Sequence, residues 1–188
     1  MEMSNKAVFL DRDGVINRKA PEGQYITRWE DVEILSGVVE AIQQLGEAGF
    51  KVVVVTNQRC VAKGLLSEAG LQVLHQKLEE LLASRGAVID AIYYCPHEKN
   101  VGCTCRKPAP GMLLKAAREH GLDLGESWVV GDSTSDLQAG KSAGCKTALV
   151  TTSQPSEVGA GIIPAPLHAD LVAASLLEVV QQILRRAK

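Results

Sequence analysis

Two aspartates follow a short apolar run near the start of the chain. The run is Ala7–Leu10, and it leads into Asp11, Arg12, Asp13 and Gly14. Ligands in open α/β sheets bind at the edge where parallel strands end, so both carboxylates would lie at such an edge if the run is a strand. Aspartate and glycine are also common in turns, which is the alternative interpretation of this motif taken alone.

Three further motifs place polar side chains where an apolar run ends or a helix-like stretch begins. In chain order they supply Thr56 and Asn57, then Lys107, then Asp132 and Asp136. Four such motifs are difficult to explain as independent turns. We therefore expect their side chains to form one site.

These residue types suit phosphoryl transfer through a covalent carboxyl phosphate. A carboxylate nucleophile is repelled by an anionic phosphate, so we expect Mg²⁺ held by Asp11, Asp132 and a main-chain oxygen near Asp13, with Lys107 beside it. Thr56 and Lys107 would supply a hydroxyl donor and a fixed positive charge to the phosphoryl oxygens. Asp13 could protonate the leaving alkoxide and then activate the hydrolytic water.

A second cluster of chemically active residues lies in the loop 95–105. Cys95 and His97 are followed, after five residues, by Cys103 and Cys105. Four soft ligands in this C-x-H…C-x-C arrangement suit tetrahedral Zn²⁺, and because they fill the coordination sphere the metal would be structural. Chance and redox chemistry are the alternatives. Since Lys107 follows Cys105 so closely, zinc would hold this loop beside the phosphate site.

Short apolar runs rich in β-branched residues alternate with amphipathic stretches, the βαβ pattern of a mainly parallel sheet. This pattern predicts an α/β, Rossmann-like, three-layer fold in one domain, residues 1–188. The predicted strands are Ala7–Leu10, Lys51–Thr56, Ala91–Tyr94, Trp128–Gly131, Thr147–Val150 and Ala169–Ala173. The predicted helices are Val38–Ala48, Ser67–Arg85, Gly111–His120, Ser135–Ala143 and Leu176–Arg186, and residues 151–169 are predicted as a surface loop.

Composition excludes several classes of protein. Hydrophobic residues make up 46% and charged residues 22%, which is ordinary for globular proteins, and the net charge of −2 provides no basic surface for nucleic acid. We find no apolar run of the roughly 20 residues that a membrane helix needs, and charged residues interrupt the start of the chain before any signal-peptide core. We expect a cytoplasmic, monomeric protein whose thiols stay reduced.

Taken together, "DRDG", "TN", "RKP" and "GDSTSD" resemble the haloacid dehalogenase superfamily in order and spacing. The resemblance implies Asp11 as nucleophile, Asp13 as general acid and base, and Mg²⁺ as cofactor held by Asp11, Asp13 and Asp132, with Asp136 behind these ligands. The second aspartate favours a phosphatase over a dehalogenase. The segments between the motifs leave no room for a cap domain.

With the cysteine loop included, the chain is similar to the zinc-loop phosphatases of that superfamily, which act on heptose 1,7-bisphosphate or histidinol phosphate. The heptose bisphosphatases match better, because they are single proteins of about this length. The resemblance therefore implies a sugar bisphosphate substrate used for lipopolysaccharide or surface glycans. A zinc-stabilised binding module without catalysis is the rival hypothesis. The substrate contacts implied by the resemblance are Asn57, Gln58, Arg59 and Arg106.

Several positions depart from that family pattern. Arg59 and Cys60 follow the "TNQ" motif where small residues are usual, Lys63 takes the place of an arginine, and Ser133 stands where lysine is common. Substrate selection in an uncapped site should then lie with residues 17–29, residues 57–64 and the cysteine loop. We expect Cys60 to be a loop thiol, and His75 to be a surface or packing residue.

Overall fold

The computed structural model describes residues 5–151 and 168–186. Six strands form one sheet in the order β3-β2-β1-β4-β5-β6, and every neighbouring pair is parallel. The strands are β1 (Ala7–Leu10), β2 (Lys51–Asn57), β3 (Ala91–Cys95), β4 (Trp128–Gly131), β5 (Lys146–Val150) and β6 (Leu171–Ala173). This strand order is that of a Rossmann-like fold, so the predicted fold class is confirmed.

Helices cover both faces of the sheet. They are α1 (Val38–Glu47), α2 (Glu68–Ala83), α3 (Gly111–His120), α4 (Thr134–Ala143) and α5 (Leu176–Arg186), with a 3-10 turn at Trp29–Asp31. Residues of α1, α2 and α5 share one apolar cluster with β1, and residues of α3 and α4 share the other. The three layers follow directly from this arrangement. Most of the predicted loop, residues 152–167, lies outside the described residues.

Strand β1 lies at the centre of the sheet and is fully buried. Val8 and Leu10 point into one cluster, and Ala7 and Phe9 point into the other. Because helices cover both faces, neither set of side chains needs to be polar, which explains the unbroken apolar run. The strand order reverses at β1, between β2 and β4, and this switch point is where open α/β sheets bind ligands.

The connections between these strands are short. Within residues 5–151, the chain between β1 and β2 holds the 3-10 turn and α1, and the chain between β2 and β3 holds α2. No additional domain is inserted in that range. None of the helices in the described part of the chain is both long and apolar enough to cross a membrane.

Candidate active site

Asp11 is the first residue after β1, and it lies at the switch point of the sheet. Its backbone N–H donates to the carbonyl of Val130 at 3.0 Å, which extends the ladder between β1 and β4 by one bond. The Asp11 carboxylate therefore leaves the sheet at a fixed position. Only 14% of that side chain is exposed.

Lys107 is buried against this carboxylate. Its Nζ lies 2.9 Å from Asp11 Oδ1 and 2.5 Å from Asp136 Oδ1, and it donates to the carbonyl of Val55 at 2.8 Å. Burial lowers the pKa of the Lys107 ammonium, but the charges of Asp11 and Asp136 outweigh burial and raise it overall. Lys107 is therefore a fixed positive charge, as the sequence predicts.

Three carboxylates converge beside Lys107. One oxygen from each of Asp11, Asp132 and Asp136 lies within 4.8 Å of the others. Burial raises the pKa of Asp11 to about 7; Lys107 opposes the rise, and the neighbouring aspartates add to it. Because three ionised carboxylates at this distance repel one another, the cluster favours a bound cation, and hard carboxylate oxygens are the ligands that Mg²⁺ prefers.

Two glycines allow the chain to approach these carboxylates closely. A Cβ atom on Gly14, whose φ is +94°, would lie 2.3 Å from Asp132 Oδ2. A Cβ on Gly131 would lie 2.2 Å from the Cβ of Asp136. Any other residue at either position would displace an acidic group of the cluster.

Asp136 has a structural contact as well as its contact with Lys107. Its Oδ2 accepts from the backbone N–H of Ser133 at 3.2 Å and from the Ser133 hydroxyl at 2.5 Å, within a capping box that starts α4. Ser133, one of the departures from the family pattern, thus caps the helix that carries Asp136.

Lys19 also reaches the acidic cluster, which the sequence analysis did not predict. Its Nζ lies 2.9 Å from Asp132 Oδ2, and about half of the Lys19 side chain is exposed. Burial raises the pKa of Asp132, and the Lys19 ammonium only partly offsets this effect. No sequence motif marks Lys19, because it lies in the loop after β1 and reaches Asp132 only in the folded chain.

The Asp13 carboxylate does not belong to this trio. Arg12 donates to both of its oxygens, and the amides of Asn17 and Gln58 donate to one oxygen each, at 2.9 and 3.1 Å. Burial raises the pKa of Asp13, but Arg12, then Asn17 and Gln58, lower it overall. A metal contact through the Asp13 side chain stays a prediction, whereas Asp136 takes the third place in the observed cluster.

Thr56 lies at the end of β2 and is buried. Its Oγ1 accepts from Gln58 Nε2 at 2.7 Å, so its own hydroxyl hydrogen can be donated elsewhere. Gln58 also donates to Asp13, and it accepts from the Cys60 thiol at 3.6 Å. Cys60 lies in the turn after β2, as predicted for a loop thiol, and it is fully buried there against Gln58.

The four predicted zinc ligands in the loop 95–105 also lie close together. Cys95 Sγ lies 3.7 Å from Cys103 Sγ and 3.5 Å from His97 Nδ1, and His97 Nδ1 lies near Cys105 Sγ at 3.2 Å. Ligands about 2.0–2.3 Å from a tetrahedral Zn²⁺ are separated by roughly 3.3–3.8 Å, so the donor set and its spacing fit this ion. The four donors lie within 4.8 Å of one another.

The predicted substrate-contact residues mostly bind protein groups. Asn57 bonds with the backbone of Lys107, and Arg106 Nη1 donates to the carbonyl of His97 at 3.2 Å. The Arg59 guanidinium pairs with Glu98 of the cysteine loop. Their roles in substrate binding stay predictions, although all three lie around the site.

His75 is the clearest residue that sequence reasoning missed. It is buried on α2, and its Nε2 lies 3.1 Å from Arg12 Nη1. The packing alternative predicted for His75 is therefore confirmed and the surface alternative excluded, but its contact with Arg12 was not predicted. The sequence does indicate a buried position for His75, because Leu71, Leu78 and Leu82 recur at helical spacing on the same face of α2.

Comparisons with known proteins agree with this geometry. The sequence model of the haloacid dehalogenase-like hydrolase family matches residues 16–141. The chain is 39% identical to D-glycero-beta-D-manno-heptose-1,7-bisphosphate 7-phosphatase of Escherichia coli K12 over 197 aligned positions, covering 100% of this chain and 98% of the other. The same-named protein of Bordetella bronchiseptica is 39% identical and covers 97% of this chain and 99% of its own.

A solved structure from B. bronchiseptica is also similar. It is the D,D-heptose 1,7-bisphosphate phosphatase complexed with magnesium and phosphate, with a TM-score of 0.86 at 38% identity. The match covers 96% of this chain and 99% of that one. The corresponding phosphatase from Burkholderia thailandensis matches with a TM-score of 0.68 at 32% identity, over 95% of this chain and 98% of that one.

Proposed function

The chain belongs to the haloacid dehalogenase-like hydrolase family, and we propose that it is a Mg²⁺-dependent phosphatase that removes the 7-phosphate of D-glycero-D-manno-heptose 1,7-bisphosphate. The observation that carries the proposal is the position of Lys107 Nζ. It lies 2.9 Å from Asp11 Oδ1, at the end of β1, and 2.5 Å from Asp136 Oδ1, on α4. Similarity to heptose bisphosphatases over almost the whole length of both chains supports the substrate. The product keeps its 1-phosphate, the group from which a nucleotide-activated heptose for lipopolysaccharide or surface glycans would be made.

The residues around Asp11 fit a magnesium ion. Asp11 and Asp132 would hold it with a main-chain oxygen at Asp13, and Asp136 lies next to this set. When bound, the ion supplies positive charge that offsets the repulsion between the substrate phosphate and the carboxylates. The magnesium-containing relative supports this assignment.

We assign the nucleophile to Asp11 and the fixed countercharge to Lys107. A carboxylate oxygen of Asp11 forms a bond to phosphorus while the bond from phosphorus to the sugar oxygen breaks, which leaves an aspartyl phosphate. Lys107 stabilises charge on the phosphoryl oxygens, and Thr56 donates its hydroxyl hydrogen to one of them. All three side chains are held at the ends of buried strands or by buried contacts.

Asp13 is assigned the proton transfers. It gives a proton to the departing sugar oxygen, and then takes one from the water that hydrolyses the aspartyl phosphate. The Arg12 contact keeps Asp13 ionised before substrate binds, because its pKa is lowered. A dianionic phosphate beside Asp13 raises that pKa by charge repulsion, so substrate binding favours the protonated form that the first step needs.

We also propose that Cys95, His97, Cys103 and Cys105 hold a structural Zn²⁺. The backbone leads from Cys105 to Arg106 and Lys107, so a metal in this loop would restrict the segment that supplies the catalytic lysine. The fit of four soft donors to one tetrahedral ion supports the assignment.

The positively charged rim is where the remaining part of the substrate would bind. Arg59, Lys63 and Arg106 lie on the two loops that flank the site, and Arg59 pairs with Glu98 across them. The 1-phosphate of a sugar bisphosphate is a suitable partner for such a rim. Histidinol phosphate has no second phosphate, so these residues favour the bisphosphate.

Steady-state kinetics test the proposal. The substrates are both anomers of heptose 1,7-bisphosphate, histidinol phosphate and p-nitrophenyl phosphate, each with and without Mg²⁺. We expect the highest kcat/KM for one heptose bisphosphate anomer, and no turnover without the metal. A higher kcat/KM for histidinol phosphate would identify that compound as the better substrate and overturn the heptose assignment. The absence of turnover on every phosphomonoester would favour a non-catalytic binding module.

A further inference from the structure

The guanidinium of Arg12 is buried between Asp13 and His75. Its side chain is 1% exposed and is among the largest fully buried side chains of the described residues. Nη2 donates to both Asp13 oxygens at 3.0 and 2.9 Å, and Nε donates to Oδ1 at 3.2 Å. On the other side, Nη1 lies 3.1 Å from His75 Nε2. The three side chains therefore form one continuous chain of hydrogen bonds.

The direction of the Arg12–His75 bond follows from chemistry. A guanidinium has donors only, so His75 Nε2 must accept, and the ring proton must lie on Nδ1. Burial and then the charge of Arg12 lower the pKa of His75 to about 3, which agrees with a neutral ring. His75 is thus a fixed acceptor for Arg12 across the physiological pH range.

Packing fixes the position of the His75 ring. Helix α2 starts at the Ser67 cap, whose hydroxyl accepts from the N–H of Gly70 at 3.0 Å, and the buried Leu71 and Leu78 set the face on which His75 lies. The ring also packs against Tyr94 of β3, with centroids 5.7 Å apart. The acceptor is therefore held by elements that do not carry Asp13.

Asp13 needs this support because its carboxylate must meet the leaving oxygen at hydrogen-bond distance. Arg12 binds both of its oxygens, so a rotation of the guanidinium would rotate the carboxylate as well. If Nη1 lost its acceptor, the buried guanidinium would turn towards another one. A shift of about 1 Å at a proton-transfer group can reduce the rate by roughly 100-fold.

We propose that His75 is a positioning residue for proton transfer by Asp13, and that it acts by holding Arg12 in place. This inference rests on the proposed phosphatase function. His75 contacts Arg12 and Tyr94 and not the reacting atoms. Its contribution is the orientation of Asp13, the acid that protonates the leaving group.

The test compares leaving groups in three variants. His75→Leu removes the acceptor on the buried face, His75→Gln places an amide oxygen near the position of Nε2, and His75→Asn is too short to reach Arg12. The substrates are heptose 1,7-bisphosphate, whose alkoxide must be protonated, and p-nitrophenyl phosphate, whose nitrophenolate can leave without a proton. We compare kcat/KM, because for a covalent mechanism it reports the steps up to departure of the leaving group.

We expect His75→Leu and His75→Asn to lower kcat/KM for the sugar substrate by about 10- to 100-fold, and to change it for p-nitrophenyl phosphate by less than about 3-fold. His75→Gln should stay within about 3-fold of the wild type on both substrates. Equal losses on both substrates, or no rescue by glutamine, would mean a merely structural role and would overturn the inference. A wild-type protein inactive on both substrates would instead reject the proposed function.

A measurement on the wild-type protein covers the case in which the variants fail to fold. Long-range ¹H–¹⁵N correlation spectra of ¹⁵N-histidine-labelled protein should show His75 as a neutral ring with its proton on Nδ1. A proton on Nε2, or a charged ring at neutral pH, would overturn the inference because Nε2 could then not accept from Arg12.

Discussion

The side-chain amide of Asn57 forms two hydrogen bonds with the backbone of Lys107. Nδ2 donates to the Lys107 carbonyl at 3.0 Å, and Oδ1 accepts from the Lys107 N–H at 3.1 Å. Asn57 ends β2, whereas Lys107 follows the cysteine loop, so the pair fixes the loop to the sheet. The position of the Lys107 ammonium therefore depends on this amide as well as on its carboxylate partners.

Replacing Asn57 with alanine should lower kcat by about 10-fold or more, because both bonds are lost and Lys107 is less well placed. KM should change less, since the rim arginines remain. Steady-state kinetics on heptose 1,7-bisphosphate measures both constants. The matched control is Gln76→Ala, an exposed amide on α2 that bonds only with Glu80 in the described structure. A variant of Asn57 with wild-type kcat would contradict the role of this pair.

Asp11 and Asp13 should respond in opposite ways to neutralisation. The pKa of Asp13 is lowered in the folded protein, so its negative charge stabilises the fold at pH values above its ordinary pKa. Asp13→Asn should therefore destabilise the protein by up to about 3 kcal/mol. The loss should be smaller than for a fully buried ion pair, because 24% of the Asp13 side chain is exposed.

The pKa of Asp11 is raised to about 7 in the folded protein, so ionisation of Asp11 lowers stability as the pH rises through that value. Asp11→Asn should therefore raise Tm at pH 8 in Mg²⁺-free buffer.

Thermal unfolding of both variants and of the wild type in Mg²⁺-free buffer measures this difference. Activity separates the two variants as well: Asp11→Asn should abolish turnover and leave no acid-stable phosphoenzyme, while Asp13→Asn should lose about 10²- to 10⁴-fold. If Asp11→Asn kept more than a few per cent of activity, a covalent route through Asp11 would be excluded.

Loss of one of the proposed zinc ligands should lower the zinc content of the protein. In Cys103→Ser a neutral hydroxyl replaces a thiolate, so we expect less than one zinc per chain by elemental analysis, a lower Tm, and a reduced kcat/KM that added Mg²⁺ does not restore. Cys145→Ala is the control, because Cys145 is a buried cysteine outside the cluster and should leave the zinc content unchanged. Wild-type kinetics in a zinc-free variant would show that the cluster contributes to stability alone.

Lys19 should affect the requirement for magnesium. Its ammonium lies 2.9 Å from Asp132 Oδ2 and neutralises a carboxylate that would bind the cation. Lys19→Ala removes this competing charge, so the Mg²⁺ concentration for half-maximal activity should fall by about 2- to 5-fold. Lys115→Ala is the matched control, since the exposed Lys115 pairs with Glu119 on α3, lies outside the acidic cluster and should not change the magnesium requirement. An increase in that concentration for Lys19→Ala would contradict the argument.

Much of the fold was predictable because its signals are local. Burial on both faces makes β1, β2 and β4 continuous apolar runs, and the carboxyl ends of parallel strands necessarily meet at one edge. For that reason the sequence places Asp11 and Asp132 together, and the structure brings both into one cluster, which Lys107 reaches from the loop after β3. The cysteine cluster was predictable for a similar reason, since its four donors lie within one short loop.

The contacts that orient these groups were not predictable in the same way. Arg12 and His75 are 63 residues apart, and their contact depends on how α2 packs against the sheet. The choice of Asp136 as the third carboxylate of the cluster depends on where α4 starts after Gly131. Such contacts depend on the relative orientation of whole elements, which no single motif encodes.

The central claim is the removal of one particular phosphate by a site built on Asp11. The most direct test is ³¹P NMR of heptose 1,7-bisphosphate incubated with the wild-type protein and Mg²⁺, with Asp11→Asn as the control. We predict that the 7-phosphate resonance disappears, that inorganic phosphate appears in equal amount, and that the 1-phosphate resonance is retained, with no change in the control. Retention of both resonances with the wild-type protein, or loss of the 1-phosphate first, would contradict the account.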